Sequence, residues 1–107
     1  MTSVGWTERA LRSVAAVCEN IAEDSPDAAR LFQDRLFAAA ERLVEFPLSG
    51  RVVPEFRRED IRELIVGRYR VVYSFGEERV AVLAVIHGAR RLRHDDIGDS
   101  GGEGGMA

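Results

Sequence analysis

The stretch that decides the fold is IRELIVGRYRVVYSFGEERVAVLAVIH, residues 61–87, in which apolar and polar side chains largely alternate. Alternation of this kind in segments rich in Val, Ile, Leu and Tyr predicts three strands, at residues 61–66, 69–75 and 80–87. The connections between them, residues 67–68 and 76–79, are short, and short connections join antiparallel neighbours. The stretch therefore predicts an antiparallel meander of three strands.

The pairing register follows from the need to place apolar faces together. Residues 69, 71, 73 and 75 share one face of the middle strand, and residues 80, 82, 84 and 86 share one face of the last strand. A two-residue turn at 77–78 sets Tyr73 opposite Val82 and Tyr69 opposite Ile86, whereas a slip by one residue would move charged side chains into the core. We expect helices to cover this face.

The opposite face of the predicted meander mixes apolar and charged side chains. Glu63 lies diagonal to Arg70, and Arg70 lies opposite Val85 and beside His87. This surface is too apolar for a solvated sheet face, and a face of this kind usually contacts a partner. Its predicted members are Ile61, Glu63, Ile65, Arg70, Val72, Leu83, Val85 and His87.

Upstream of the meander, the apolar residues recur with the period of a helix. Residues 4–6 predict a short strand, Thr7 is a predicted helix N-cap, Ser25-Pro26 predicts the start of a second helix, and Pro47 ends it. The connection around residues 23–25 is short, which predicts a helical hairpin. The predicted fold class is α+β: a helical hairpin packed on one face of a small antiparallel sheet, in the order β-α-α-β-β-β.

Length and composition limit the domain organisation and the cellular setting. A chain of 107 residues predicts one domain, over residues 1–93, followed by an acidic, glycine-rich tail at 94–107 that we expect to be disordered. The apolar runs are too short to span a membrane, no secretion signal is evident, and the single cysteine, Cys18, cannot form an internal disulfide. We expect a cytoplasmic protein without membrane contact.

The charges are unevenly distributed along the chain. All 15 basic residues are arginines, and residues 51–93 hold ten of them against six acidic residues, whereas residues 1–50 and 94–107 are net acidic. A cationic segment favours an anionic partner, although a solvated arginine-rich surface is the alternative. After the last strand, Arg90, Arg91 and Arg93 form a basic group that either binds phosphate or is simply solvated.

Three residues that the predicted pairing brings together, His87, Arg70 and Glu63, combine a base, a cation and an acid. RNA cleavage needs these roles for the 2′-hydroxyl, the phosphorane charge and the leaving oxygen. The alternative is that Glu63 and Arg70 form a cross-strand ion pair while His87 ends the strand. Arg51 and Glu55 either flank a cleft or are ordinary loop charges. No metal and no cofactor are predicted, because paired Cys/His spacings and glycine-rich nucleotide loops are absent from the sequence.

Five segments, WTERAL, SPDAARLFQDRL, FPLSGRVVPE, IRELIVGRYRVVY and VLAVIHGARRL, together resemble the ParE/RelE superfamily of type II toxin–antitoxin toxins. The resemblance covers residues 4–93, and the HGARR ending is most similar to the ParE branch. It implies a helical hairpin on an antiparallel sheet, DNA gyrase as a target that is poisoned without catalysis, and a cognate antitoxin protein. The antitoxin's C-terminal segment would fold on the toxin, giving a toxin–antitoxin hetero-oligomer.

RelE-like members of the superfamily instead cleave mRNA on the ribosome. By resemblance, Arg70 matches the arginine of their YR motif, Arg90 matches an arginine after the last strand, and Glu55 matches a carboxylate after the loop proline. Their lysines and their C-terminal tyrosine have no match, because the chain has no lysine and no tyrosine after Tyr73. In a ribonuclease, the residues available for proton transfer would be Glu55, Glu63 and His87.

The sequence therefore predicts a ParE-type toxin that acts on gyrase. The alternatives are a ribosome-dependent mRNA endoribonuclease and a degenerate toxin that retains only antitoxin binding. The mixed face of the meander is the expected antitoxin site, with Arg70 pairing with antitoxin acids and neighbouring apolar residues accepting apolar groups. The predicted target- or antitoxin-binding residues are Arg51, Glu63, Ile65, Arg70, Val72, Val85, His87, Arg90 and Arg91.

Overall fold

The computed structural model describes residues 2–98 and has two helices packed on a five-stranded sheet. This arrangement confirms the predicted fold class. The elements in chain order are β1 (Ser3–Trp6), α1 (Glu8–Ala22), α2 (Pro26–Arg42), β2 (Arg51–Val52), β3 (Ile61–Val66), β4 (Tyr69–Gly76), β5 (Arg79–His87) and a 3₁₀ turn (His94–Ile97).

Both helices begin where local chemistry predicts, whereas α2 ends at Arg42, five residues before the predicted stop at Pro47. The Thr7 hydroxyl accepts a hydrogen bond from the Ala10 N–H at 3.0 Å, and the Ser25 hydroxyl accepts one from the Ala28 N–H at 3.1 Å. These caps satisfy N–H groups that have no partner within the helix. Pro26 occupies the first turn of α2, where its missing N–H costs no hydrogen bond.

The sheet has the strand order β1-β5-β4-β3-β2. Strands β3, β4 and β5 pair antiparallel, as the predicted meander requires, and β2 adds to β3, also antiparallel. β1 lies at the far edge and pairs parallel to β5. The sheet is therefore mixed, and it includes a short strand, β2, that the sequence pattern does not predict.

The predicted register between β4 and β5 is correct at one end and wrong at the other. Tyr73 pairs with Val82 as predicted, but a β-bulge follows, and Tyr69 pairs with His87 instead of Ile86. The bulge inserts one extra residue, Leu83, opposite the Val72–Tyr73 step, and an extra residue reverses which face every later side chain occupies.

The bulge therefore corrects the predicted faces of β5. Val85 packs in the core beneath the helices, and His87 lies beside Tyr69 on that same side. Ala84 and Ile86, predicted to face the helices, instead join Leu83 on the opposite face. The predicted grouping of Val85 and His87 with Arg70 on one face is wrong for this reason.

The opposite face of the sheet is covered by the chain itself. A second core lies there, and its members come from the sheet, from the loop after β2 and from the segment after β5. The prediction of a face left open for a partner is therefore wrong, because two connecting segments fold over it. Its buried members are Val53, Ile61, Val72, Leu83, Ala84, Ile86, Leu92 and Ile97.

The folded chain also extends beyond the predicted domain boundary at residue 93. Ile97 is 3% exposed, and the His94 ring stacks on Phe56 with the ring centroids 4.5 Å apart. Residues 94–98 are thus part of the second core's cover, while residues 99–107 of the predicted tail lie outside the described residues. Within residues 2–98, no helix is both long enough and apolar enough to cross a membrane.

Candidate functional site

Arg70, on the central strand β4, is the centre of a buried ion network. Its Nε donates to Glu63 on β3 at 2.6 Å, and its two terminal nitrogens donate to the carboxylate of Glu55 at 2.7 and 2.9 Å. The residue is 5% exposed, and Glu63 is 1% exposed. The sequence-derived alternative of a cross-strand ion pair between Glu63 and Arg70 is thus what the structure contains.

Arg51 completes the network from the edge strand β2. Its Nε donates to the second oxygen of Glu63 at 2.6 Å, and most of its side chain stays in solvent. Two arginines and two glutamates then lie together, so their formal charges cancel. A buried charge needs such compensation, because removing it from water is costly.

A close backbone approach fixes the position of Arg51. The Tyr73 hydroxyl donates to the Pro47 carbonyl at 2.7 Å and accepts from the Gly50 N–H at 3.0 Å. A Cβ at residue 50 would lie 2.6 Å from the Glu63 carbonyl oxygen, so glycine is required there. Burial raises the pKa of Tyr73, which keeps its hydroxyl protonated as a donor.

The network changes the protonation chemistry of its members. Hydrogen bonds from Arg70 lower the pKa of Glu55 to about 2, and the same contact raises the pKa of Arg70 above its usual range. Near neutral pH the Glu55 carboxylate and the Arg70 guanidinium are therefore both charged and paired. A carboxylate of this kind is a poor proton acceptor, since general bases work best with a pKa near the working pH.

The network also contacts the segment after β5. Arg70 donates to the Arg90 carbonyl at 2.9 Å, and the Leu92 N–H donates to Glu55 at 2.9 Å. The turn into this segment is fixed by a 2.7 Å hydrogen bond from the Gly88 N–H to the Arg68 carbonyl. Glu55 as a second partner of Arg70 is a contact that strand pairing alone does not predict.

An open cleft of about 410 Å³ lies between α1 and the open end of the β4–β5 hairpin, where β4 begins and β5 ends. One wall is a stripe of α1, and the other holds the last residues of β5 with the segment that follows it. Its lining residues are Arg9, Ser13, Ala16, Val17, Asn20, Tyr69, Val85, Ile86, His87, Arg90 and Asp96.

His87 and Arg90 supply the polar chemistry of the cleft. His87 Nδ1 accepts the Ala89 N–H at 3.1 Å, an arrangement of the neutral imidazole that leaves Nε2–H as a donor. Arg90 pairs with Asp96 at 2.6 Å, and about half of its side chain remains exposed. The cleft therefore offers hydrogen-bond donors and a guanidinium, which suit an anionic group.

The predicted binding residues divide into two groups. Arg51, Ile65, His87, Arg90 and Arg91 are exposed, and Ile65, at 60%, is a large apolar side chain beside a shallow groove next to α2. The remaining four, Glu63, Arg70, Val72 and Val85, are buried within the chain. The structure thus brings Arg51, Glu63 and Arg70 together and places His87 on the other side of the sheet.

Sequence reasoning did not find the α1 wall of the cleft. Arg9, Ser13, Ala16 and Asn20 line it, and they recur at the spacing of one helix face. That spacing is the signal that was available in the sequence. Within residues 2–98, no group of three or more His, Cys, Asp and Glu side chains could hold a metal ion.

Comparisons with known proteins consistently find toxins of type II toxin–antitoxin systems and related toxins. A family model described as the ParE toxin of the type II toxin–antitoxin system parDE matches residues 4–92. Toxin RelE2 of Caulobacter vibrioides is 34% identical over 90 residues, which cover 84% of this chain and 99% of that protein. Putative toxin Y4kP of Sinorhizobium fredii is 35% identical over 86 residues, or 78% of this chain and 85% of that protein.

A solved structure shares the fold. The chain matched in the chromosomal ParDE TA system from P. aeruginosa has a TM-score of 0.67 to this structure at 16% identity. The match covers 81% of this chain and 96% of that one. At this identity the likeness establishes the arrangement of helices and strands.

Proposed function

Since this chain belongs to the ParE toxin family of type II toxin–antitoxin systems, we propose that it binds DNA gyrase, blocks replication, and is neutralised by a cognate antitoxin protein. The family and the toxin class rest on the matching family model and on the two toxin relatives. Because gyrase works on the chromosome, the proposed site of action is the bacterial cytoplasm.

The observation that supports binding over cleavage is the state of Arg70. In the ribonuclease pattern this arginine would contact the scissile phosphate, but here it is buried and paired with Glu55 and Glu63. A phosphate would have to displace two carboxylates to reach it. The chain also has no lysine and no tyrosine after Tyr73, so the lysines and the C-terminal tyrosine of that pattern are missing.

The proposed target contacts are the exposed members of the predicted set. His87, Arg90 and Arg91 lie at the cleft and just beyond it, where cations can meet acidic groups of a protein or the DNA it holds. Ile65 and Arg51 lie at the opposite edge of the sheet, and we assign them to the antitoxin. Separate surfaces of this kind fit a toxin–antitoxin hetero-oligomer in which the antitoxin wraps around the toxin.

A second candidate function is ribosome-dependent cleavage of mRNA. It is favoured by the name of the Caulobacter relative, Toxin RelE2, and by the imidazole and guanidinium of His87 and Arg90 in one open cleft. In that case Glu55 and Glu63 would serve as structural anions, and His87 would carry proton transfer.

The test is to express the chain without antitoxin and to measure gyrase-linked DNA breaks and ribosome-dependent mRNA cuts separately. We expect growth arrest with DNA breaks, and loss of both in the double variant Arg90→Ala/Arg91→Ala. Arg30→Ala, which removes an exposed arginine at the start of α2, is the matched control. Cuts in mRNA with gyrase unaffected would replace the first function by the second. A culture that grows normally would indicate a degenerate toxin.

A further inference from the structure

We infer that Arg70 and Glu55 are positioning residues that hold residues 88–98, here named the arginine segment, in the conformation in which Arg90 and Arg91 contact the target. The inference rests on the proposed function for the identity of that target. In this role Arg70 does not bind phosphate itself. Its guanidinium holds the backbone of the arginine segment.

The coupling runs through two shared groups. One terminal nitrogen of Arg70 donates both to Glu55 and to the backbone carbonyl of Arg90, each at 2.9 Å. One oxygen of Glu55 accepts from that nitrogen and from the Leu92 N–H, also at 2.9 Å. The two side chains therefore hold the backbone on both sides of Arg91.

The arginine segment depends on these contacts because it is not part of the sheet. The last paired residue of β5 is His87, and the 3₁₀ turn begins at His94. Between them, the Arg90 carbonyl and the Leu92 N–H bond to side chains of the buried network. Hydrogen bonds to charged partners in a site with little water are strong, so two of them can fix a short segment.

The segment's other contacts keep its arginines pointing outward. Leu92 and Ile97 are buried in the second core, while Arg90 and Arg91 are exposed. Asp96 accepts hydrogen bonds from the Arg90 side chain at 2.6 Å and from the Arg93 N–H at 2.8 Å, which closes the segment on itself. The buried network thus fixes the backbone of residues 90–92, and the second core holds the side chains of Leu92 and Ile97.

Stability alone gives a weak reason for such a network. Buried ion pairs often add no more stability than apolar side chains of similar volume would. What the network adds is a fixed position for the backbone of residues 90–92, with all four carboxylate oxygens of Glu55 and Glu63 bonded. A target-binding loop benefits from that, because ordering it in advance reduces the entropy lost on binding.

The first test measures the loop directly in the full chain. Glu55→Ala removes the acceptor of the Leu92 N–H, while Glu63 still pairs with Arg70, so we expect the variant to fold. Amide hydrogen exchange at residues 90–97 should become about tenfold faster or more, as expected when charge-assisted hydrogen bonds are lost. Asp60→Asn is the matched control, because it removes an ion pair with Arg58 on the same loop without touching the arginine segment. Unchanged exchange in Glu55→Ala would overturn the inference.

The second test asks whether the position matters for activity. Per molecule of folded protein, Glu55→Ala should lower gyrase-linked DNA breaks about tenfold while antitoxin affinity changes little. The thermal midpoint should also fall, because the ionised Glu55 carboxylate stabilises the fold. Combining it with the single variant Arg91→Ala, which keeps Arg90 and so retains part of the activity, should cost less than the product of the two separate losses, because residues that act through one another are not additive. Full additivity would show that Glu55 acts on the fold in general and would overturn the inference. A wild-type chain that leaves gyrase untouched contradicts the proposed function instead, and hydrogen exchange then decides the positioning role by itself.

Discussion

At the scale of single residues, the buried arginine is the most consequential side chain of the molecule. Arg70 joins β3, β4, the loop after β2 and the arginine segment through one guanidinium. Its neighbours in sequence, Tyr69 and Val71, belong to the core on the helix side. One residue of β4 therefore organises the polar contacts of the opposite face, while the two beside it build the main core.

We predict that Arg70→Ala lowers the free energy of unfolding by about 3–5 kcal/mol, since it leaves buried carboxylates without their partner. Urea unfolding followed by circular dichroism measures this. Arg58→Ala is the control, because its ion pair with Asp60 is about half exposed and such pairs contribute about 0–1 kcal/mol. If Arg70→Ala lowers the free energy of unfolding no more than Arg58→Ala does, water must solvate the carboxylates that Arg70 leaves unpaired.

A second prediction at this scale concerns acid. The Arg70 hydrogen bonds lower the pKa of Glu55 from 4.5 to about 2, so the ionised carboxylate stabilises the fold above pH 4.5. That contribution is lost as the pH falls from about 4.5 towards about 2. The free energy of unfolding, measured across this interval, should fall less steeply in Glu55→Gln than in the wild type. Equal slopes in both chains would contradict the assignment. Asp60→Asn is the reference variant. It removes a carboxylate whose pKa is also lowered, by Arg58, but whose ion pair is about half exposed, and it leaves the Glu55 contacts intact.

At the scale of elements, the β4–β5 hairpin is closed by a strained turn. Glu77 and Glu78 have φ angles of +53° and +60°, the left-handed conformation that a two-residue hairpin turn requires and that glutamate adopts at a cost. The sequence places the turn correctly, because the register of the apolar faces determines it. The residues themselves are not those usually found in such a turn.

We predict that Glu77→Asn raises the free energy of unfolding by about 0.5–1 kcal/mol, since asparagine tolerates this conformation better. Thermal unfolding measures the change. Gly67→Ala tests the same physics in the other direction: φ is +59° and an added Cβ would meet no atom within 4 Å, so the expected loss of about 1 kcal/mol comes from backbone strain. A neutral Glu77→Asn variant would show that the turn relaxes without strain.

The two elements that sequence reasoning missed are the bulge and the second core. Leu83 lies inside an apolar run, so the pattern gives no sign that it is an extra residue. Near the turn the charged Arg79 fixes the register, but beyond Val82 both faces of β5 are apolar, so hydrophobicity cannot reveal a shift there. Leu92 and Ile97 are isolated among arginines and aspartates, so no periodic signal marks them as core.

Of the candidate site, the sequence predicts the contact between two paired strands but not the contacts made by loops. The Glu63–Arg70 pair follows from strand register near the β3–β4 turn, which contains no irregularity. The contacts of Arg70 with Glu55 and Arg90 depend on how two loops fold over the sheet, and loops carry no periodicity from which their path can be derived. Helix caps and short turns depend on neighbouring residues, which explains why those predictions were correct.

At the scale of the whole molecule, β1 protects one edge of the sheet. It is the outer neighbour of β5, and an open strand edge is a template for aggregation. The Ser3 N–H donates to the Glu78 carbonyl at 3.2 Å and the Thr7 N–H donates to the Val82 carbonyl at 3.1 Å. Since alternate residues of a strand point the same way, the Gly5 N–H between them also faces β5.

We predict that Gly5→Pro removes a ladder hydrogen bond, lowers the free energy of unfolding by at least about 1 kcal/mol and promotes aggregation. Thermal unfolding with light scattering measures both effects. Gly5→Ala is the matched control, because an added Cβ would meet no atom within 4 Å. Equal behaviour of the two variants would show that the molecule does not depend on this edge strand.

Because β1 pairs with β5, the sheet cannot finish folding until β5 has been translated. β1 emerges from the ribosome before the other described elements, yet its partner residues, 79–82, are made after nearly all of them. Helix α1 packs on the same late strand, and the arginine segment follows it. A ribosome that stops before β5 thus releases a chain with neither a finished sheet nor the proposed target-binding loop. Under the proposed function, chains that stop before β5 should therefore not arrest growth.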